Sequence, residues 1–299
     1  MSTFSIQVQS VVYKNEKANL FGAIAAMSNA VRVYNKIDGG NCTLDFVYGD
    51  GSPELVMQPE DVAEIQKKYG EYVNFRYQPF GENTGSAKGH NILAKDVKTD
   101  YIMIMNPDVK VSPHFLREAM KPFADEKVGM VEARQTPLEH QKEYDIKTLE
   151  TEWATTACAI IRRDIFEQLE GFDYKTFFLY CDDLDFSWRL RLAGYKIIYQ
   201  PLAPVYHAKT LNIDGSWMPT NAERYYSAEA AILMAYKWSN PERVEKLLQQ
   251  FDAESDITRK AAAEFRRRQQ EGTLPQPIDP EHKIARFIGD FYSENRFVL

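Results

Sequence analysis

The chain has 299 residues, 44% of them hydrophobic, and a formal net charge of −7. That apolar content suffices to bury a full core, and the acid excess excludes a default nucleic-acid binder, because neutralising phosphates takes clustered Lys and Arg. Three cysteines, Cys42, Cys158 and Cys181, have no C-x-x-C spacing and an odd count, which argues against a disulfide framework and for a reducing, cytoplasmic location.

Residues 5–13 (SIQVQSVVY) read as a first strand. Residues 19–34 carry Leu20, Ile24, Met27, Val31 and Tyr34 at helical spacing. A second strand, 43–48, closes on Gly49-Asp50-Gly51-Ser52-Pro53, a turn signal, and a helix with Pro near its start covers 59–69. A strand at 73–77 and a helix at 86–96 lead to YIMIM, 101–105, the continuous apolar run of a strand buried on both faces. It stops at Asn106-Pro107-Asp108. A helix over 113–124 and strands over 128–132 and 157–162 follow, then a short helix, 164–169, a Gly171-Phe172-Asp173 turn and an aromatic run, 177–180. A helix at 183–193 ends on Gly194, and 196–199 is the last strand. Beyond about residue 210 the pattern is helical: 223–238, 241–251 and 257–270, then a Pro-bounded linker, 275–280, and a final amphipathic turn or two, 285–292. This alternation predicts a mostly parallel α/β sheet with crossover helices over 1–215 and a helical extension over 216–299.

In such sheets ligands bind beyond the carboxyl ends of the strands, which directs attention to Asp50, to Asn83 and Gly85, and to Asp108. A hard cation bridging two phosphates needs carboxylate oxygen on a rigid element, and Asp108 follows the buried strand; a turn aspartate is the other explanation. Cys181-Asp182-Asp183-Leu184-Asp185 places three acids at a helix start beside aromatics. Apolar surroundings and mutual repulsion raise such carboxyls towards neutrality, as a general base requires. Capping explains Asp182 equally, and Asp185 reads as facing solvent. His207 follows the last strand, as a structural hydrogen-bonding residue or as a ligand. The glycine-rich loop at 81–91 opens a helix and permits close backbone approach to a phosphate or sugar, but it lacks the ending of a Walker loop.

In this order the segments resemble the inverting family 2 glycosyltransferases, most closely bacterial rhamnosyltransferases and related galactofuranosyltransferases, over roughly residues 5–210. The longest matching stretch is 155–207, TTACAIIRRDIFEQLEGFDYKTFFLYCDDLDFSWRLRLAGYKIIYQPLAPVYH. The resemblance implies the GT-A nucleotide-sugar-binding fold. It assigns Mn²⁺ or Mg²⁺ ligation to Asp108, as the last acid of a D-x-D motif whose first acid is here Asn106, and to His207, 24 residues past the base. It makes Asp183 the general base, puts Asp50 on the nucleobase, lines the donor with Asn83, Gly85 and Asn91, and walls base and ribose with Val12 and Tyr13. Trp153, Thr156, Tyr180 and Asp182 fall on the acceptor side, with Phe177 and Phe178 as further stacking candidates. Gly49 stands where a second acid is usual, and Thr156 where glycine is usual.

The implied reaction moves L-rhamnose from dTDP-rhamnose to a cell-surface glycan or lipid-linked saccharide, as in polysaccharide or lipopolysaccharide synthesis. UDP-galactofuranose or another UDP-hexose is the alternative donor, and a non-catalytic glycan-binding relative the alternative function. The first strand is not followed by the basic Gly-rich loop of a nucleotidyltransferase. The start of the chain has no charged region leading an apolar stretch, and no run of about 18 apolar residues occurs, so neither leader nor spanning helix is expected. The 285–292 segment, near Lys283 and Arg286, offers a face to the core, to a second copy or to a membrane surface; the triplet Arg266, Arg267 and Arg268 reads as a solvated face or a contact for anionic lipid.

Overall fold

The computed structural model describes residues 3–208 and 219–296. The expected border at 215/216 lies outside the described residues. An eight-stranded mixed sheet runs in the order β3-β2-β1-β4-β7-β6-β8-β5. Its strands are β1 (Thr3–Val12), β2 (Asn41–Asp50), β3 (Asn74–Pro79), β4 (Tyr101–Met105), β5 (Val109–Val111), β6 (Val128–Thr136), β7 (Cys158–Arg162) and β8 (Lys196–His207). The half built from β3, β2, β1 and β4 is parallel, as the alternation predicts. β7 is inserted antiparallel between β4 and β6, β8 returns parallel to β6, and β5 pairs antiparallel on its far side.

Helix α1 (Lys17–Lys36) buries the stripe read from sequence, Leu20, Ile24, Met27, Val31 and Tyr34, against the sheet. Each such side chain contributes about 1.5–3 kcal/mol on leaving water. Helix α2 (Pro59–Tyr69) starts with Pro at its first position and a reciprocal Gln58/Asp61 capping box. Helix α3 (Gly85–Ala94) follows the glycine-rich loop. The helix expected over 113–124 is instead a short α4 (Phe115–Ala119) and a 3₁₀ turn (Lys121–Ala124), because Pro122 cannot donate to a continuing α ladder. Helices α5 (Arg163–Gln168) and α6 (Asp182–Leu192) flank the other half. The last strand is three times the expected length: β8 passes Pro201 and Pro204 because the register shifts beside them.

Helices α7 (Asn221–Lys237), α8 (Pro241–Glu254) and α9 (Asp256–Gln270) form the extension. Their core is shared with the sheet half: Trp153, Phe177, Leu184 and Trp188 pack in one cluster with Ile232, Leu233, Trp238, Leu247 and Phe265. The rings of Trp188 and Trp238 meet edge to face at 5.1 Å. The 285–292 segment is not helical. Ala285, Phe287 and Tyr292 join this cluster, while Ile288 and Phe291 bridge across a turn and Phe291 stays 59% exposed. The three arginines are likewise accounted for. Arg266 pairs with Asp252, Arg267 with Glu264 and Glu271, and Arg268 donates to the carbonyls of Thr176, Lys175 and Thr273. Among the described residues no helix is long and apolar enough to cross a membrane.

Candidate active site

The carboxyl ends of β1, β2 and β4 open onto one face. At β2, Gly49 lies under the Phe80 ring, where a Cβ would come within 2.0 Å of it, so a second acid has no room there. Asp50 is wholly buried. Its carboxylate accepts from the amides of Ser52 (2.7 Å) and Val56 (2.9 Å) and from the Tyr77 hydroxyl. Asp50 therefore shapes the turn, and the nucleobase contact expected of it meets a carboxylate already engaged. Val12 likewise sends its side chain into the main core, whereas Tyr13, the next residue, is 42% exposed at the strand end.

The donor loop is held from the far side of the cleft. Gly85 has φ +67°, and a Cβ on it would sit 2.3 Å from the Phe178 carbonyl, so only glycine fits. Asn83 Oδ1 accepts from the Gly85 amide, and the Ser86 amide donates to the Phe178 carbonyl. Asn91 does not line this cleft. Its amide clips the Phe172 backbone in both directions, accepting at 2.9 Å and donating at 2.8 Å. Phe178 stacks on Tyr226 of α7, centroids 4.8 Å apart, so the extension reaches this wall.

Strand β5 assembles the candidate metal site. Val109 pairs with His207, which brings Asn106 and Asp108 onto the imidazole from about a hundred residues away. His207 Nε2 lies 3.5 Å from Asp108 Oδ1 and 3.3 Å from Asn106 Nδ2. Its Nδ1 faces Gln135 Oε1 at 2.8 Å. Carboxylate plus imidazole is a donor set that suits Mn²⁺. Among the described residues no cluster of three or more His, Cys, Asp or Glu surrounds it, so the remaining positions of an ion there would fall to substrate and water.

The acid triplet is delivered by strained backbone. Tyr180 and Cys181 both adopt positive φ, 68° and 55°, before α6 begins, an arrangement that persists only when its surroundings enforce it. Asp182 is buried, and its Oδ2 has no hydrogen-bond partner among the described residues. Burial first, and the charge of Asp183 second, push its carboxyl up to about 7. Asp183 is part exposed; it accepts from the amides of Thr156 (3.3 Å) and Leu184 (2.8 Å), and burial raises its carboxyl too. Neither acid caps the helix, since the cap position is Cys181. Asp185 does not face solvent. It is fully buried and accepts from Arg189 Nε (2.8 Å), Trp238 Nε1 (3.1 Å) and Lys237 Nζ (2.6 Å).

Residues 154–156 thread between these two centres. Ala154 donates to Ser187 Oγ, Thr155 to Glu132 Oε1 and Thr156 to Asp183 Oδ2. The Thr155 hydroxyl accepts from Gln135 Nε2 at 2.6 Å, and Lys142 pairs with Glu132 at 2.8 Å. Sequence pattern gave no warning of Glu132, Gln135, Lys142 or Thr155. Trp153, expected on the acceptor side, is only 9% exposed, with Lys142 4.0 Å over its ring and Ser293 accepting from its indole. Phe177 is core as well. Tyr180 and Phe178 keep partial exposure. Burial holds the Cys42 thiol up at about 12 and those of Cys158 and Cys181 well above the usual range, so none offers a thiolate.

Known proteins match this architecture. Residues 58–170 fit the family described as glycosyl transferase family 2. An N-acetylglucosaminyl-diphospho-decaprenol L-rhamnosyltransferase of Mycobacterium tuberculosis is 25% identical over 201 residues, covering 54% of this chain and 63% of its own length. A poly-beta-1,6-N-acetyl-D-glucosamine synthase of Staphylococcus aureus is 26% identical over 57% of this chain and 44% of its own. The chain thus matches less than two thirds of either relative. A mannosyltransferase of Pyrobaculum calidifontis, solved with GDP-mannose and Mn²⁺, superposes with a TM-score of 0.60 at 17% identity, over 90% of this chain and 81% of that one.

Proposed function

We propose that the chain, which has the GT-A fold and matches the family 2 glycosyltransferases over 58–170, transfers a sugar from a nucleotide diphosphate donor to a saccharide hydroxyl with inversion at the anomeric carbon. The observation that carries this reading is the 154–156 segment. One stretch of backbone holds the candidate base, through the Thr156 amide, and the support of His207, through the Thr155 hydroxyl and Gln135. Acceptor activation and leaving-group binding are thereby fixed relative to each other, as a near-attack arrangement demands.

Asp108 and His207, with Asn106 alongside, are the residues that would hold Mn²⁺ or Mg²⁺. When bound, such an ion offsets the charge growing on the departing nucleotide diphosphate. Gly85 and Ser86 bring backbone close to the donor, and Tyr13 offers an exposed ring to base and ribose. Asp183 takes the proton from the acceptor hydroxyl while that oxygen bonds to the anomeric carbon. The bond from that carbon to the diphosphate breaks at the same time, and its electron pair leaves with the nucleotide. A single displacement needs no enzyme nucleophile. Asp182, Tyr180 and Thr156 border the acceptor side.

L-rhamnose from dTDP-rhamnose is the first donor to test, supported by the similarity to a rhamnosyltransferase. UDP-N-acetylglucosamine and UDP-galactofuranose are the alternatives; the similarity to a poly-N-acetylglucosamine synthase favours the former. A glycan or lipid-linked saccharide is the acceptor class. Thermal unfolding with each donor, with and without Mn²⁺, tests the reading. A ligand at about 100 times its Kd stabilises by about 2.7 kcal/mol. A Mn²⁺-dependent shift with dTDP-rhamnose alone supports it. A shift with UDP-sugars alone overturns the rhamnose assignment, and no shift with any donor overturns the transferase mechanism.

A further inference from the structure

In a regular strand, residues three apart face opposite sides of the sheet. Glu132 and Gln135 of β6 break this rule, since both reach Thr155, one at its amide and the other at its hydroxyl. Between the two residues the ladder shifts register, since the partner on β8 jumps from Gln200 opposite Ala133 to Pro204 opposite Arg134. The extra residues lie in β8, and beyond them Gln135 reaches the Thr155 hydroxyl while Glu132, before them, reaches its amide.

Gln135 is buried, 3% exposed, with both ends of its amide engaged. Nε2 donates to Thr155 Oγ1 at 2.6 Å, which leaves Oε1 towards His207 Nδ1 at 2.8 Å. In this orientation of the amide its oxygen accepts, and His207 Nδ1 is the matching donor. Nε2 of the neutral ring then presents its lone pair on the side where Asp108 and Asn106 lie. The Asn106 amide, 3.3 Å away, donates to that lone pair; the opposite tautomer would set one N–H against another and leave only the Asp108 carboxylate, 3.5 Å away, to receive it.

We propose that Gln135 is a positioning residue that fixes His207 as the Nδ1–H tautomer, so that Nε2 faces the Asp108 carboxylate. Its consequence for cation binding rests on the assignment of Asp108 and His207 as ligands; the tautomer itself does not. Partners that orient a ligating imidazole in this way commonly change metal affinity by about 10–100-fold when removed.

The test is long-range ¹H–¹⁵N correlation on histidine-labelled full-length protein above the ordinary imidazole range, with His207 assigned by its disappearance in His207→Asn. The wild type should show Nδ1 protonated and Nε2 bare. Gln135→Met should mix the two tautomers, and Gln135→Glu, which still offers an acceptor, should retain the wild-type form. Nε2 protonated in the wild type, or an unchanged tautomer in Gln135→Met, overturns the proposal. Calorimetric titration of Mn²⁺ with dTDP or UDP forms the second arm. Gln135→Met should weaken Mn²⁺ by about 10-fold or more and Gln135→Glu should not. Equal Mn²⁺ affinity in wild type and Gln135→Met overturns the positioning role. If the wild type binds no Mn²⁺, the ligand assignment fails, while the spectra still decide the role of Gln135.

Discussion

Asp182→Asn should make the protein more stable at neutral pH. Asp182 is buried beside Asp183, and one of its oxygens lacks a partner among the described residues. Burial and that neighbouring charge raise its carboxyl from 3.8 to about 7. Between those values the folded chain keeps a proton that the unfolded chain has released. Stability is therefore intact below the unfolded value and falls as pH rises, until the loss is complete above the folded value. A rise of about three pH units corresponds to about 4 kcal/mol, a ceiling because the charge is shared with Asp183. An amide of the same shape removes the charge. Urea denaturation at about pH 5 and about pH 8 measures the effect, and the linkage predicts an advantage of Asp182→Asn over wild type that grows by about 2–3 kcal/mol from the lower value to the higher, part of it being present already at the lower because that lies above the unfolded value. A wild type whose stability is flat across this window, or an Asp182→Asn protein less stable at the higher pH, refutes the reasoning.

Asp183→Asn should lower turnover by about 10²–10⁴-fold, the usual worth of general base catalysis, while nucleotide affinity by calorimetry is unchanged; near-normal turnover would remove Asp183 from the mechanism. Asp108→Ala should abolish the Mn²⁺-dependent part of nucleotide affinity and leave the metal-independent part, and persistence of Mn²⁺ dependence counts against the ligand assignment. Asp185→Ala strips one partner from Lys237, Arg189 and Trp238 in a buried network, so urea denaturation should show a loss of about 3–5 kcal/mol. A loss well below that would mean that Asp173, 2.7 Å from Lys237, suffices alone.

The parallel half of the sheet was legible because each strand there is an apolar run bounded by a turn and followed by a periodic helix, as in β1, α1 and β2. β5 was not. Three residues after a proline turn carry no periodicity, yet Val109 paired with His207 is what closes the candidate metal site. Asp108 and His207 could be named from motif order, but their meeting depends on that pairing. The antiparallel insertion of β7 was invisible for a related reason, since strand direction leaves no mark on a run such as CAIIR. Two candidate side chains also serve the backbone. Asp50 and Asn91 lie in the expected loops, but backbone amides and carbonyls claim their side chains. Gln135 and Glu132 gave no signal because strict alternation puts them on opposite faces, and their common neighbour Thr155 comes from a segment outside the strands.

The acids of α6 show why type and spacing alone do not assign a role. Asp182, Asp183 and Asp185 lie within four residues at one helix start, and the helix dipole acts on them in the same sense. What separates them is the surface each meets after the left-handed turn at Tyr180 and Cys181. Asp183 meets two backbone amides and keeps some exposure, enough for an acceptor to approach. Asp182 is buried beside the charge of Asp183, which raises its carboxyl although the Ser86 side chain hydrogen-bonds to it. Asp185 meets Lys237 and Trp238 from α7, which offset its burial and anchor the helix. Through Asp185, Lys237 and Trp238 tie the start of α6 to α7 directly after the left-handed turn. Because α7 also shares a core cluster with Leu184 and Trp188 of α6, a chain cut before α7 should lose the local fold around Asp183 along with the extension.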